Sequence, residues 1–332
     1  MTDPRLPDLA GIEAAARAIA PHMAPTPLIR SEILSRVFKG EVWLKNETTT
    51  PIASFKLRGA LASLIRARER DGIASAVTSS TGNHGQGVAY AGRLLGIPAD
   101  IFLPAESNPV KAAMIEAFGG RLHKIGADLD EAKDAAKAHA AASGGYFVDD
   151  GDDPDLMEGA GTCGLEIARA LQGIDAVFVP LGGGNFVSGL ATAIKGVQPD
   201  ARAIAVQAKG SPAMVESFHA KRPVERPCDT IADGLVTRVP PGLAFRAMLR
   251  VTDDAMLVGD EALLAGMHAL MESAHVLVEP AGAAALAGAW ERRDELGGKR
   301  VVIVLSGANA TTGLIEQALA TRPLFALEDA AR

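Results

Sequence analysis

Four short segments of the sequence place chemically active side chains beside glycines. The first reads SFKLRGA over residues 54–60 and puts Lys56 at the start of a predicted helix. Unpaired N–H groups and the positive end of the helix dipole lower the pKa of an amine at such a position, which makes the amine a better nucleophile or base. Taken alone, a surface lysine on an amphipathic helix is the commoner explanation.

The second segment, SSTGNHG at residues 79–85, lies at a predicted turn from a strand into a helix. Its hydroxyl and amide side chains and its backbone N–H groups suit a carboxylate, because oriented N–H groups at a helix N-terminus favour anions. The candidate ligands are Ser80, Thr81, Gly82, Asn83 and His84. An ordinary helix cap explains the same residues about equally well.

Two further glycine-containing segments follow predicted buried strands. PLGGGNF at residues 180–186 lets backbone N–H groups approach a phosphate closely, although a tight turn would have the same composition. A dinucleotide-binding fingerprint, G-x-G-x-x-G, would require glycine where Val187 stands, which argues against a nicotinamide-dependent oxidoreductase. In the last segment, LSGAN at residues 305–309, the hydroxyl of Ser306 could hydrogen-bond a ring nitrogen, or the segment could simply form a turn.

These segments are separated by a regular alternation of short apolar runs and helical patterns. We predict strands at residues 41–45, 76–80, 99–103, 121–125, 146–148, 176–179, 203–206 and 301–305. We predict helices at residues 8–20, 84–95, 109–118, 129–142, 260–275 and 281–291. Such alternation indicates parallel βαβ units and an α/β fold, in which ligands bind at the carboxyl ends of the strands. Because no linker separates the halves, we expect residues 1–71 and 150–332 to form a large domain with a smaller one, residues 72–149, inserted.

The composition excludes several classes of protein. With 332 residues, 48% of them hydrophobic and 22% charged, the chain has enough apolar residues for a large core. Its net charge of −7 and the absence of a basic cluster argue against nucleic-acid binding, and no apolar run is long enough for a membrane span. The N-terminus lacks the pattern of a signal peptide, and Cys163 and Cys228 lack metal or redox spacing, so we expect a cytoplasmic protein with reduced thiols.

Together and in this order, the four segments resemble those of the fold type II enzymes that use pyridoxal 5'-phosphate (PLP), in particular the branch of serine/threonine dehydratases (ammonia-lyases) and serine racemase. The similarity runs from Thr26 to Asn309 and includes IADG at residues 231–234 and VEPAG at residues 278–282. It implies a two-domain α/β fold like that of the tryptophan synthase β-subunit, a cofactor in the interdomain cleft, and a homodimer. Since the sequence ends soon after Ser306, we expect no regulatory C-terminal domain.

The resemblance also implies roles for individual residues. Lys56 matches the Schiff-base lysine, which also takes the Cα proton, and Phe55 matches the residue that packs beside the pyridine ring. Asn83 matches the residue that binds the 3'-oxygen, and Ser306 the one that meets the ring nitrogen. The remaining cofactor-binding positions are Gly182, Gly183, Gly184 and Asn185, which would hold the phosphate, and Glu279. The loop of residues 80–84 would take the substrate carboxylate.

Three departures from the family pattern bear on the reaction. Asn185 replaces the fourth glycine usual in the phosphate loop, and its side chain could contact the phosphate or narrow the pocket. Gln207 and Ala213 stand where relatives often carry the acidic ligands of a divalent cation, so we predict that this metal site is absent. Thr81 stands where racemases have a serine that acts as the second base, which makes it a candidate acid–base group and leaves racemisation open as a side activity.

The largest departure is the acidic run DDGDDP at residues 149–154. Related dehydratases tend to have His-Pro in this loop, followed by a residue that faces the substrate. A solvated loop is the simpler explanation of four acids in a run. Alternatively, Asp149 or Asp150 faces the pocket and pairs with a cationic or hydroxylated substrate, and Gly151 leaves room for a larger side chain.

We therefore expect an ammonia-lyase that converts serine, threonine or a larger β-hydroxy amino acid into a 2-oxo acid and ammonia. An amino-acid racemase and a PLP-dependent β-replacement enzyme are the alternatives, and the β-replacement branch is disfavoured because it tends to have threonine at the position of His84. A nicotinamide-dependent oxidoreductase and a non-catalytic binding module are alternatives from other classes.

Overall fold

The computed structural model describes residues 5–328, and this part of the chain forms two β-sheets. The strands are β1 (Leu28–Arg30), β2 (Glu41–Asn46), β3 (Ala76–Ser79), β4 (Ala99–Leu103), β5 (Gly120–Lys124), β6 (Tyr146–Phe147), β7 (Ala176–Pro180), β8 (Arg202–Ala208), β9 (Asp254–Val258) and β10 (Arg300–Leu305).

Thirteen α-helices within the same range surround the sheets. They are α1 (Leu9–Ile19), α2 (Glu32–Val37), α3 (Lys56–Asp71), α4 (Asn83–Leu95), α5 (Pro109–Ala117), α6 (Leu129–Ser143), α7 (Pro154–Ala170), α8 (Asn185–Val197), α9 (Ala213–Ala220), α10 (Gly242–Val251), α11 (Asp260–Ala274), α12 (Pro280–Glu291) and α13 (Thr312–Ala320). Short 3-10 helices occur at Glu47–Thr49, Asp233–Leu235 and Arg293–Glu295. No helix in the described part of the chain has the length and apolar character needed to cross a membrane.

The larger sheet has six strands in the order β1-β2-β10-β7-β8-β9. Strand β1 is antiparallel to β2, and every other neighbouring pair is parallel. The central strands β7 and β10 are buried along almost their whole length, as expected of apolar strands covered by helices on both faces. The parallel α/β architecture predicted from the sequence is confirmed.

The smaller sheet has four parallel strands in the order β5-β4-β3-β6, all of them between residues 76 and 147. Helices α4, α5 and α6 connect these strands along the chain. The predicted domain of residues 72–149 encloses this sheet, and the positions of its boundaries stay a prediction.

Helices α7 and α8 cross more closely than ordinary side chains allow. A Cβ atom at Gly164 would lie 2.3 Å from the carbonyl oxygen of Leu190, and one at Gly189 would lie 2.0 Å from that of Met157. Glycine is therefore required at the crossing. This contact holds α8 in place, and with it the glycine segment that leads into the helix.

Helix α3 is anchored by a network of buried charges. Arg58 is fully buried and binds Glu47 (Nε–Oε2, 2.7 Å) and Glu166 (Nη1–Oε1, 2.7 Å). Lys45 also contacts Glu166, so two cations face two carboxylates. Because charges are tolerated in a protein interior only when they are paired, the network fixes the position of α3 and of the residues that begin it.

We expect Arg58→Met to destabilise the protein by about 3–5 kcal/mol, because it leaves the carboxylate of Glu47 buried without its cation. The exposed Arg68→Met on the same helix is the matched control and should change the free energy of unfolding by no more than about 0.5 kcal/mol. Urea unfolding followed by circular dichroism measures both. Equal stabilities of the two variants would contradict the anchoring role of Arg58.

Candidate active site

The four segments identified in the sequence lie at strand ends and helix starts that are close together. Residues 80–82 connect β3 to α4, residues 181–184 connect β7 to α8, and Ser306 directly follows β10. Phe55, the residue before α3, donates its N–H to the carbonyl oxygen of Ser306 at 3.0 Å. The start of α3, which carries Lys56, therefore lies beside the end of β10.

Lys56 is the first residue of α3, and its amine contacts the carboxylate of Asp150. The other carboxylate oxygen of Asp150 accepts a hydrogen bond from Nδ2 of Asn185 at 3.0 Å. Burial alone would raise the pKa of Asp150, but the charge of Lys56 and the hydrogen bonds from Lys56 and Asn185 outweigh it and hold the pKa well below its usual range. Asp150 is therefore ionised at neutral pH and forms an ion pair with Lys56.

Asn83 begins α4, and hydrogen bonds hold both ends of its amide. Nδ2 donates to Oε1 of Glu279 at 2.7 Å, and Oδ1 accepts from Nδ2 of Asn309 at 2.6 Å. Glu279 is buried, and burial raises its pKa to about 7 despite the hydrogen bond from Asn83. Asn309 received no role from the sequence, although the SGAN segment that contains it was one of the four motifs.

The glycine segment forms a turn suited to an anion at the N-terminus of α8. Gly184 has a φ of +100°, which disfavours residues with a side chain, and no side chain caps the helix. A Cβ atom at Gly182 would lie 2.5 Å from the carbonyl oxygen of Gly234, so glycine is required there too. Around Gly183 there is more space, since the nearest atom to a Cβ would be 3.5 Å away. Uncapped N–H groups at the start of this 13-residue helix suit a phosphate.

The N-terminus of α4 likewise lacks a side-chain cap, and Ser80, Thr81 and Gly82 before it are partly exposed, as a binding site for a carboxylate requires. His84 in the first turn is buried, and burial is the main reason why its pKa lies below the usual value. The imidazole is therefore neutral at neutral pH.

The hydrogen bonds of His84 decide which ring nitrogen carries the proton. Nε2 lies 3.0 Å from Oγ1 of Thr78, and the hydroxyl of Thr78 donates to the carbonyl oxygen of Val148 at 2.9 Å. Nε2 must therefore be the donor towards Thr78. Nδ1 is then a buried acceptor that has no partner within residues 5–328, so a ligand could supply the missing donor.

Two predicted site residues make contacts that the sequence did not indicate. The ring of Phe55 stacks on that of Phe186, with centroids 3.8 Å apart and planes 10° apart. Asp149 pairs with Lys133 at 3.0 Å, so only Asp150 of the two candidates contacts the amine at the start of α3. The structure thus separates two aspartates that the sequence could not distinguish.

Gln207 occupies a position where relatives often have a metal ligand. Its side-chain oxygen accepts a hydrogen bond from the N–H of Val215 at 3.1 Å. Across residues 5–328, no cluster of three or more histidine, cysteine, aspartate or glutamate side chains could hold a metal ion. The predicted absence of a metal site here stays a prediction.

Glu279 makes the stability of the chain depend on pH. Its pKa is about 7 in the folded chain and about 4.3 in an unfolded one, so between these values the folded state keeps a proton that the unfolded state loses. The free energy of unfolding therefore falls as pH rises through this window, by roughly 4 kcal/mol from this group. We expect Glu279→Gln to remove that part of the decline.

Urea unfolding of the cofactor-free chain at about pH 5 and pH 8 measures the effect. Between these two pH values the free energy of unfolding should fall by roughly 2–3 kcal/mol more in the wild type than in Glu279→Gln. Glu69→Gln, on the exposed side of α3, is the matched control and should show the same fall in the free energy of unfolding as the wild type. An equal fall in the wild type and in Glu279→Gln would contradict the raised pKa of Glu279.

Known proteins are similar to this chain over most of its length. Residues 19–307 match the family described as pyridoxal-phosphate dependent enzyme. An L-threonine ammonia-lyase from Thermotoga maritima is 35% identical over 312 residues, which cover 93% of this chain and 77% of the relative. The chloroplastic biosynthetic threonine dehydratase 1 of Solanum lycopersicum is 36% identical over 288 residues, which cover 86% of this chain and 48% of the relative.

The similarity extends to solved structures. A maize serine racemase aligns with a TM-score of 0.89 and 29% identity, over 95% of this chain and 98% of the racemase. The fold type and the cofactor expected from the sequence are confirmed. The family match covers most of the chain and includes Lys56 and the four segments, apart from Ala308 and Asn309 at the end of the last one. This chain therefore belongs to the pyridoxal-phosphate dependent enzyme family.

Proposed function

We propose that this protein is a PLP-dependent ammonia-lyase that acts on a β-hydroxy amino acid such as serine or threonine and forms a 2-oxo acid and ammonia. The observation that carries the proposal is the place of Lys56 between two helices with uncapped N-termini. Its backbone lies against Gly87 of α4, and its amine is linked through Asp150 to Asn185, the first residue of α8. Two anion sites near one amine fit the phosphate of the cofactor and the carboxylate of an amino acid.

The residues present fit PLP. The uncapped turn at residues 182–184 offers N–H groups to the phosphate, and its middle glycine leaves space. Lys56 would bind the cofactor covalently, Asn83 would bind the 3'-oxygen, and Ser306 would meet the ring nitrogen. Glu279 would act through Asn83, whose amide it orients. When bound, PLP supplies an electron sink that stabilises negative charge on Cα of the substrate.

The side chains and backbone of the chain itself bind and orient the substrate and move its protons. The N–H groups of Ser80 and Gly82 are used within the chain, by the carbonyl oxygen of Phe102 and the hydroxyl of Ser80, so the N–H of Thr81 and those at the start of α4 would hold the carboxylate and fix the orientation of Cα. Lys56, once its amine is uncharged, takes the proton from Cα. The β-hydroxyl leaves as water, and hydrolysis then releases the nitrogen as ammonia, so that serine gives pyruvate and ammonia without net consumption of water. Asp150 contacts the lysine amine.

Ser306 favours elimination over reactions that need a long-lived negative charge on Cα. It is buried at the end of β10 and would offer the ring nitrogen of PLP a hydroxyl, whereas a carboxylate would stabilise the protonated form of that nitrogen. With an uncharged nitrogen the cofactor would supply a weaker electron sink, which would favour prompt departure of the β-hydroxyl.

Racemisation is the second candidate, because the maize serine racemase aligns over 95% of this chain. It would need a proton donor on the face of Cα opposite to Lys56. Thr81, partly exposed in the loop before α4, is the candidate for that group. The relative named L-threonine ammonia-lyase, 35% identical over 93% of this chain, favours elimination as the main reaction.

We further propose that the protein acts as a cytoplasmic homodimer. The homodimer follows from the family resemblance, and the free cysteines fit a reducing compartment. In each subunit, residues 72–149 would close over the substrate and exclude water. Two ion pairs would hold the closed arrangement, since Lys111 of α5 contacts Asp233, and Asp130 of α6 binds Arg238 at 3.1 Å.

We expect purified protein with PLP to form 2-oxo acid from at least one of serine, threonine, 3-hydroxyaspartate and phenylserine. Lys56→Ala should lower kcat by about 10³-fold or more, because it removes both the covalent attachment and the base. The exposed Lys124→Ala is the matched control and should keep the activity of the wild type. Coupled 2-oxo acid reduction and ammonia release measure the reaction.

An absorbance of bound cofactor that depends on Lys56, without 2-oxo acid from any of these compounds, would refute elimination from this class of substrate. Chiral chromatography of the recovered amino acid would then show whether the reaction is racemisation. Activity that survives in Lys56→Ala would refute the assignment of the lysine.

A further inference from the structure

The acidic run at residues 149–153 contains one carboxylate that no structural role accounts for. Asp149 pairs with Lys133 at 3.0 Å, and Oδ1 of Asp152 accepts the N–H of Leu243 at 2.9 Å. Asp153 caps helix α7 through the N–H groups of its first turn. These three aspartates hold the loop and the neighbouring helices in place. The fourth, Asp150, has its side chain in the active site.

Asp150 is in contact with solvent and has free space around it. About a third of its side chain, 33%, is exposed, although it lies against the amine of Lys56. The next residue is Gly151, and the built Cβ of Gly183 would lie 3.9 Å from the carbonyl oxygen of Asp150. Gly183 therefore leaves room for a substituent of the substrate, whereas the space beside Gly151 is filled by Pro241, which a Cβ atom there would approach to 2.7 Å.

Asn185 provides a second, independent sign of a missing ligand. A carboxylate only accepts hydrogen bonds, so the amide of Asn185 must turn Nδ2 towards Asp150, as observed at 3.0 Å. This orientation leaves Oδ1 buried without a donor, and only 4% of the residue is exposed. A buried acceptor in that state is normally satisfied by a donor from an ordered water or a bound molecule, and an ammonium group of a substrate would supply one.

The group that now contacts Asp150 shows which chemistry the carboxylate binds. It is a primary ammonium, that of Lys56. If Lys56 acts as proposed above, its nitrogen must bind the cofactor and carry protons, so Asp150 loses this partner during turnover. An ammonium group brought by the substrate would restore the ion pair, and its three N–H donors suffice for Asp150 and for Oδ1 of Asn185.

We propose that Asp150, with Asn185, selects β-hydroxy amino acids whose Cβ substituent carries an ammonium group. This inference rests on the proposed function and names its substrate class. A neutral substituent leaves the carboxylate without a cation, and an anionic one is repelled.

The test is a charge series on one carbon skeleton. Threonine, 4-aminothreonine and 3-hydroxyaspartate carry a methyl, an aminomethyl and a carboxylate group on Cβ. We expect kcat/KM of the holoenzyme to be about tenfold or more higher for 4-aminothreonine than for threonine, and lowest for 3-hydroxyaspartate. A wild type that favours threonine or 3-hydroxyaspartate would overturn the proposal, whether or not any variant folds.

Asp150→Asn should lower the ratio of 4-aminothreonine to threonine by about tenfold or more, since the amide has the same shape without the charge. Asp149→Asn makes the same chemical change one residue earlier, where the partner is Lys133, and should leave the ratio within about threefold. An equal fall of the ratio in both variants would show a general charge effect of the loop and overturn the role of Asp150.

Binding of unreactive analogues separates this inference from the proposed reaction. 2,4-Diaminobutanoate and 2-aminobutanoate lack the β-hydroxyl, and the change in cofactor absorbance gives their dissociation constants. Tighter binding of the diamino acid by about tenfold, lost in Asp150→Asn, supports charge selection even if no substrate is eliminated. Equal dissociation constants would overturn charge selection and leave the proposed elimination untouched.

Discussion

The position of the reactive amine depends on charges that lie on the opposite side of the same helix. Lys56 and Arg58 are two residues apart on α3, so their side chains leave the helix about 200° apart. Arg58 is held in the interior by two carboxylates, and the next residue, Gly59, packs tightly against the carbonyl oxygen of Leu156. Rotation of α3 would break these ion pairs. The amine of Lys56 is thus positioned by contacts on the opposite side of α3, and its own contacts are free to change during a reaction.

Much of the fold could be predicted because buried parallel strands are continuous apolar runs that end in glycine-containing turns. That topology alone brings strand ends together and with them the predicted ligands. Helix α7 was missed, although Asp153 caps it and Pro154 occupies its first turn, both of which are signals of a helix start. Its glycines lower helix propensity, and they are required by the crossing with α8, which the sequence does not show.

The pairings inside the site could not be predicted, because each joins residues far apart in the chain. Asn83 and Asn309 are 226 positions apart, and Lys56 and Asp150 are 94 positions apart. A motif identifies the residue types that bind a cofactor, but the residues that orient them are often ordinary polar side chains from other segments. For the acidic run, the sequence indicated that an aspartate could face the cleft, but it did not indicate which one.

The site contains two carboxyl groups whose surroundings move their pKa values in opposite directions. Glu279 is buried beside an amide, so burial dominates and raises its pKa to about 7, whereas Lys56 and Asn185 hold the pKa of Asp150 low. Negative charge is therefore concentrated next to the reactive amine. This charge attracts cations to the site. A substrate ammonium that replaces Lys56 as the partner of Asp150 satisfies the carboxylate and leaves the nitrogen of Lys56 available for the cofactor.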